Sequence, residues 1–390
     1  MKILHTSDWH LGHILYNDSQ EEAQKDMLRQ IANIVNEKKP DVLIIAGDVY
    51  DSTQPSTSVQ QMFADAMVNI HQACNEMTIV CIAGNHDSGS KHMIFHTPWK
   101  ALNVHMIGSI NNESDLNDYI IEIEGKGFVV AVPYAADRFL PDDVWNRLYS
   151  IVDERNRDRQ LPVVLTSHLA ILGSDWGGHD FSSDKSIGGL NCMDSSIFDK
   201  GYDYVALGHI HRQQDLNEDC RICYAGTPVA VSFDEVANGH GLLFVECDKH
   251  GEGTKVTPIS INNINPLVNI PADKFADWDK ARQLLRNYPD DVPSLIRLNV
   301  EVEAYLPAGA NDEGQLIVKD KACKLTYINT KRKDSNQQGK SGATFTTSEF
   351  KKLNVADVAK MWIESKGEKF DDVIKEMLEE VQSRLSDNNE

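Results

Sequence analysis

Two periods of apolar residues run along the chain and predict its elements. Ala23, Met27, Ile31, Ile34 and Val35 lie at helical spacing within residues 19–37, and Pro40 marks the stop. Val59, Met62, Phe63, Ala66, Met67 and Ile70 form a second stripe, and each stripe is the face a helix buries against a core. Around these helices the chain carries apolar runs of strand length: Ile3-Leu4, "DVLIIAGD", "TIVCIAGNHD", "LPVVLTSHL" and "YDYVALGHIHR". "DYIIEIEG" and "GFVVAVPY" flank a Gly-Lys-Gly turn, which predicts a hairpin. Residues 142–158 read as a charged helix, and "RICYAGTP" and "GLLFVEC" as further strands. This alternation over residues 1–265 predicts a layered α/β domain.

The texture then changes. "SLIRLNVEVEAYL" alternates like a strand of a small separate α+β unit spanning residues 266–330. Residues 331–347, "KRKDSNQQGKSGATFTT", have the composition of a flexible linker. Within residues 348–390, Val355, Val358, Ala359, Trp362 and Ile363 make one helical stripe, and Phe370, Val373, Ile374, Met377, Leu378, Val381 and Leu385 make another. A chain of 390 residues accommodates two or three domains.

An apolar fraction of 41% and a charged fraction of 25% are those of a soluble globular protein. No run approaches the ~20 apolar residues of a membrane span, and the opening "MKILHTSDWH" has no secretory pattern, so the expectation is a cytoplasmic protein without a membrane segment. Seven cysteines in no framework spacing fit reduced thiols. Cys220 and Cys223 form a C-x-x-C, but no second pair or closely spaced histidines follow, so they read as thiols entering a strand. The formal charge of −21 argues against a broad basic surface for nucleic acid. It leaves room for an enzyme that meets phosphate through bound cations.

Chemistry-bearing residues gather where the apolar runs end: Asp8-x-His10, Gly47-Asp48, Gly84-Asn85-His86-Asp87, Ser167-His168 and Gly208-His209-x-His211. In an open α/β sheet the carboxyl ends of the strands share one edge, so five exits along one rim would bring these side chains together. Any one pair alone is an ordinary polar pair at a strand end, and the glycines alone are ordinary turn residues. Recurrence at five exits carries the reading. Nitrogen and hard oxygen donors without thiolate suit Mn²⁺, Fe²⁺, Mg²⁺ or Zn²⁺. Asp8, His10, Asp48, Asn85, His168, His209 and His211 are too many donors for one ion that also holds water and substrate. Two ions sharing a carboxylate, ~3.5–4 Å apart, fit better and clamp an in-line displacement at phosphorus. His5, inside the first strand, reads as a core histidine and Trp9 as packing. His92 and His96 lack the glutamate of H-E-x-x-H and read as surface or packing residues.

The ordered set D-x-H, G-D, G-N-H-D, S-H and G-H-x-H resembles the calcineurin-like metallophosphoesterases. "LHTSDWHLG", "AGDVYD", "AGNHD", "LGHIHR" and "YAGTP" followed by "SFDE" resemble their double-strand-break repair nuclease branch. The resemblance implies a four-layer β-sandwich flanked by helices over residues 1–265, a DNA-capping α+β domain, and a C-terminal helix pair that docks an ABC-type ATPase. It implies that Asp8, His10 and His211 hold one ion, that Asn85, His168 and His209 hold the other, and that Asp48 bridges them. His86 would be the catalytic residue, over the scissile phosphate and not a ligand. Mn²⁺, double-stranded and hairpin DNA, exonuclease and endonuclease action, and a homodimer within a heterotetramer also come from the resemblance, with the helices near 57–73 and 92–102 as candidate dimer surfaces. Asp51 occupies a position where archaeal and eukaryotic relatives carry a histidine, and is read as positioning or structural. Asp87 is read as orienting the His86 segment or capping the next turn.

Two other functions share these residues. A phosphomonoesterase or cyclic-nucleotide phosphodiesterase would use the same ligands but would not need the post-catalytic segments. A scaffold that had lost activity would have lost ligands, and every ligand position is filled. No G-x-x-x-x-G-K-[ST] loop is present, so ATP use would belong to the partner.

Overall fold

The computed structural model describes residues 1–94, 96–157, 159–177, 192–198, 201–217 and 221–333. The chain opens with β1 (Lys2–Thr6), a ribbon of β2 (Ile14–Leu15) and β3 (Asp18–Ser19), α1 (Glu21–Lys38), β4 (Val42–Ala46), α2 (Thr57–Ala73), β5 (Thr78–Ile82), α3 (Gly89–Met93), α4 (His96–Lys100) and β6 (Val104–Ile107). It continues through β7 (Ile120–Ile123), β8 (Gly127–Val132), α5 (Val144–Asn156), β9 (Val163–His168), β10 (Tyr204–Gly208), β11 (Gln214–Asp215), β12 (Ile222–Tyr224), β13 (Gly241–Cys247) and β14 (Thr254–Ser260). The last described elements are β15 (Leu267–Ile270), α6 (Trp278–Arg286), β16 (Ser294–Val302), α7 (Ala310–Val318) and β17 (Cys323–Arg332).

Two six-stranded sheets, ordered β14-β13-β1-β4-β5-β6 and β11-β12-β10-β9-β8-β7, stack face to face. β1, β4, β5 and β6 run parallel in the first sheet and β8, β9, β10 and β12 in the second, while β13 pairs antiparallel with β1. Parallel strands between other layers are buried on both faces, and β4 shows how its run is divided. Leu43 and Ile45 pack under α1 and α2, while Val42 and Ile44 face the second sheet. α5 covers the second sheet through Val144, Leu148 and Val152, so the order is helix, sheet, sheet, helix. Lys39, in the left-handed region at φ 45°, ends α1 just before Pro40, and the Ser56 hydroxyl caps α2 by accepting from the Val59 N–H. The hairpin read from the Gly-Lys-Gly turn is β7 and β8.

β15, β16 and β17 form a third, parallel sheet that packs α6 and α7 around Ile296, Leu298, Val300 and Leu325. β17 pairs with β16 as far as Arg332, so the first two residues read as linker are strand. β14 was not legible in the sequence because it is a half-exposed edge without apolar alternation. Cys223 is buried in β12. Cys220, linker residues 334–347 and the C-terminal helix pair lie outside the described residues. No helix among the described residues is long and apolar enough to cross a membrane.

Candidate metal centre

The five strand exits do converge, but from two sheets rather than one rim. β1, β4 and β5 deliver Asp8, His10, Asp48, Asn85 and His86, and β9 and β10 deliver His168, His209 and His211. Stacking two sheets with parallel strands brings two sets of carboxyl ends to one edge of the sandwich, which a single-sheet reading could not anticipate.

Backbone bonds continue the sheet into the site. The N–H groups of Asp8, His10 and Leu11 donate to the carbonyls of Gly47, Asp48 and Val49, so the loops after β1 and β4 run side by side. The Asp8 carboxylate accepts the His209 N–H at 3.1 Å, which ties the first sheet to the second. Asp48 Oδ1 accepts the His86 N–H at 2.8 Å. Asp87 accepts from Val49 and Tyr50 with its two oxygens and from Gly84 as well, locking the β4 and β5 loops together. Asp8, His10, Asp48 and His209 hold φ of 53°, 44°, 50° and 98°. Left-handed backbone at non-glycine residues costs roughly 1–3 kcal/mol each and clusters at functional sites. The preceding glycines serve mainly close approach: a Cβ on Gly84 would stand 2.1 Å from Asp48 Oδ1, and one on Gly208 would stand 2.0 Å from the Ala46 carbonyl.

Two nests of donors result. Asp8, His10 and His211 form one, with His10 Nε2 and His211 Nε2 3.1 Å apart. In the other, Asn85 Oδ1 lies 2.9 Å from both His168 Nε2 and His209 Nδ1. Asp48 Oδ2 stands between them, 3.3 Å from His168 Nε2 and 3.9 Å from His10 Nε2. His86 joins His10 and Asp48 within one ligating distance, yet its Nδ1 is already engaged by the Asp51 carbonyl at 3.0 Å. His10, Asp48, Asn85, His86, His209 and His211 line a cleft of about 420 Å³ with Gly12, His13, Ser232 and Glu235 among its walls.

The electrostatics ask for positive charge. Burial pushes Asp8 up to about 7 against the pull of His168. His168 rises to about 9, because Asp48 and Asp8 outweigh the burial that disfavours its cation. Asp48 is held well below the carboxylate range, despite burial, by His168, His10 and His86. Burial and the facing His211 depress His10 far below the usual imidazole range. Two dry carboxylates, an amide oxygen and four imidazoles, two of them, His10 and His211, facing nitrogen to nitrogen, are a donor set that divalent cations fit.

Supporting residues fix ring orientation. His168 Nδ1 donates to the Ala46 carbonyl at 2.8 Å, leaving Nε2 for the site. His211 Nδ1 donates to the buried Glu235 carboxylate at 2.7 Å. Gln24 braces the first loop by donating to the His10 carbonyl and accepting the Gly12 N–H. Asp51 pairs with His13 Nδ1 at 2.9 Å. Sequence reasoning missed Glu235, Gln24 and His13. "SFDE" carried the only trace of the first, as a motif without a role. His5, Trp9 and His92 are buried packing residues, as expected, and His96 is half-buried with Nδ1 at the Met106 carbonyl.

Fold and site define a metallophosphoesterase. The model of the calcineurin-like phosphoesterases matches residues 1–213, and the chain belongs to that family, whose members use a dimetal site. More particularly, it is similar to SbcD, a component of the nuclease SbcCD. The SbcD of Rhodobacter capsulatus is 26% identical over 302 residues, 71% of this chain and 73% of the relative. The SbcD of Escherichia coli K12 is 25% identical over 326 residues, 78% of this chain and 79% of the relative. Among solved structures, a dimetal phosphatase from Danio rerio aligns over 67% of this chain and 99% of its own, at 10% identity and a TM-score of 0.41.

Proposed function

We propose that the chain is a metal-dependent DNA nuclease that hydrolyses phosphodiester bonds, as a double-strand exonuclease and a single-strand or hairpin endonuclease. The observation that carries this reading is the pair of donor nests sharing Asp48, with His86 beside them. The name of the relatives supports nuclease over phosphatase. Asp8, His10 and His211 would hold one ion, Asn85, His168 and His209 the second, and Asp48 both, with Mn²⁺ the expected metal. Bound there, two divalent ions supply Lewis acidity at phosphorus and a more acidic water.

The chain's own residues supply the rest. Burial works against a charge on His86, but Asp48 and the Asp51 carbonyl and carboxylate raise its pKa. Because Nδ1–H is held by the Asp51 carbonyl, Nε2 is the atom left to carry a proton to the leaving oxygen. Leu11 and Trp9, both buried, anchor the first loop in the core shared with α1 and α2.

Residues 266–330 act as a DNA cap on this reading. The helix pair within 348–390 docks an SbcC-type ABC ATPase, with a homodimer of the chain inside a heterotetramer. The test is cleavage of hairpin and blocked-end duplexes with Mn²⁺, with and without purified ATPase partner and ATP. Cleavage of both DNAs, and loss of partner association without loss of short single-strand cleavage on deleting residues 348–390, are expected. Hydrolysis of phosphomonoesters or cyclic nucleotides with no cut in any DNA would replace the reading with the phosphatase one.

A further inference from the structure

Two backbone irregularities, from distant parts of the chain, end in one aromatic stack at the rim of the cleft. The β2–β3 ribbon turns through Tyr16 and Asn17 at φ 46° and 73°. Such a turn favours Asn, Asp or Gly, and a bulky tyrosine in it is strained. Tyr16 is nevertheless 46% exposed, two residues beyond cleft-lining Ile14. On the third sheet, Ile296 pairs with Leu325 but Arg297 pairs with Tyr327, so Thr326 is an extra residue in β17. Leu325 belongs to the core under α6 and α7. Strict alternation would send Tyr327 into that same core. The bulge turns it over, so that Ile328 packs inward and Tyr327 is 39% exposed.

The two rings meet 4.4 Å apart and 8° from parallel. Phe233, next to cleft-lining Ser232, flanks Tyr16 with ring centroids 6.1 Å apart, and Arg297 lies over Phe233 at 5.4 Å. Lys324 of β17 pairs with Asp18 of the ribbon and closes the same junction. Charge adds a second observation. The chain carries −21, yet "CKLTYINTKRK", residues 323–333, has four cations and no acid. It forms the edge strand of its sheet, and Lys331 shares the Tyr327 face. A basic edge strand thus leads to two partly exposed, stacked tyrosines at the mouth of a phosphoester-cleaving cleft. Aromatic platforms with backbone-tracking cations are how proteins hold single-stranded nucleic acid without reading sequence.

We propose that the Tyr16–Tyr327 stack is a base-stacking platform that holds an unpaired nucleobase of the DNA strand entering the metal cleft, with Lys331, on the same face of β17, beside its phosphates. The inference rests on the DNA-nuclease reading above and deepens it: the platform selects frayed or single-stranded ends over fully paired ones.

The test uses the full chain with metal chelated, so that binding is read without cleavage. Single-stranded oligonucleotides, each carrying one abasic or 2-aminopurine residue at successive positions, are titrated against wild type, Tyr327→Ala and Tyr327→Phe. Wild type is expected to quench 2-aminopurine at one position, and an abasic residue at that position to weaken binding. Tyr327→Ala is expected to bind the intact strand roughly 5- to 150-fold more weakly, the ~1–3 kcal/mol of a base–aromatic stack at about 1.4 kcal/mol per tenfold. It should be insensitive to the abasic residue, and Tyr327→Phe should restore both. Equal losses on intact and abasic strands would make the stack a fold element and overturn the proposal, as would wild-type affinity in Tyr327→Ala. Failure of wild type to bind or cut any DNA, with Mn²⁺ supplied as well as with metal chelated, would instead remove the nuclease reading, and the platform with it.

Discussion

His10 Nε2 faces His211 Nε2 at 3.1 Å, nitrogen to nitrogen, although 201 residues separate them. Glu235 holds the His211 proton on Nδ1, so the facing Nε2 of His211 offers a lone pair. With the Asp8 carboxylate in the same nest, a cation satisfies this arrangement better than a shared proton. The variant His211→Ala is therefore expected to bind about one divalent ion per chain where wild type binds two, read by calorimetry or elemental analysis. Its cleavage rate should fall by at least ~10²-fold, the scale of removing one electrostatic stabiliser of the transition state. Full occupancy in the variant would remove His211 from the ligand set.

Glu235 acts through His211 and touches neither proposed ion site itself. Its second oxygen accepts the Val231 N–H at 3.0 Å, so the carboxylate is fixed before it orients the ring. Glu235→Gln keeps the shape but weakens the hold on the imidazole proton. Loss of such a supporting partner typically lowers metal affinity ~10- to 100-fold. The expected signature is a raised metal requirement with near wild-type cleavage at saturating metal. A loss of cleavage that no metal concentration restores would contradict the positioning role.

His86 separates chemistry from metal binding. Its backbone N–H, not its side chain, bonds Asp48, so His86→Ala leaves that anchor in place. Cleavage is expected to fall ~10²- to 10⁴-fold, the range of general-acid help, with both ions still bound. Matched loss of metal and activity would instead make His86 a ligand.

What could be read in advance followed from local signals. β4 and β5 are apolar runs followed by glycine and polar residues, and Asp48 and Asn85 stand where those runs stop. The convergence of His168 and His209 on Asn85 depended on stacking a second sheet against the first, and no local period encodes which sheet a strand joins. Glu235 was illegible for a related reason. It reaches His211 across 24 residues from a short 3-10 turn with no periodic pattern, where a buried carboxylate looks like any surface acid. Tyr327 shows the limit from the other side: alternation from Leu325 assigns it to the core, and only the bulge at Thr326 reverses that.

His5 makes stability depend on acidity in a definite direction. Its Nδ1 lies 2.9 Å from the Tyr204 hydroxyl and its Nε2 lies 3.2 Å from the Leu207 carbonyl, inside the sandwich. A carbonyl only accepts, so Nε2 carries the proton and Nδ1 accepts from Tyr204, which satisfies the neutral ring completely. Burial pushes its pKa down from 6.5 to about 3, with the Leu207 carbonyl opposing. Between those values the unfolded chain binds a proton that the folded chain refuses, so folding free energy from this group is lost as pH falls. The slope is about 1.4 kcal/mol per pH unit, accumulating to roughly 5 kcal/mol by pH 3. Above pH 6.5 both states hold the neutral ring and the dependence vanishes. His5→Gln retains a donor and an acceptor but cannot titrate. Urea unfolding of the two proteins from pH 7 to 4 should therefore show the variant's stability declining less steeply by about that slope, whatever its absolute value at pH 7. Parallel declines would mean that His5 takes up its proton in the folded protein, and that the bond between the sheets tolerates charge.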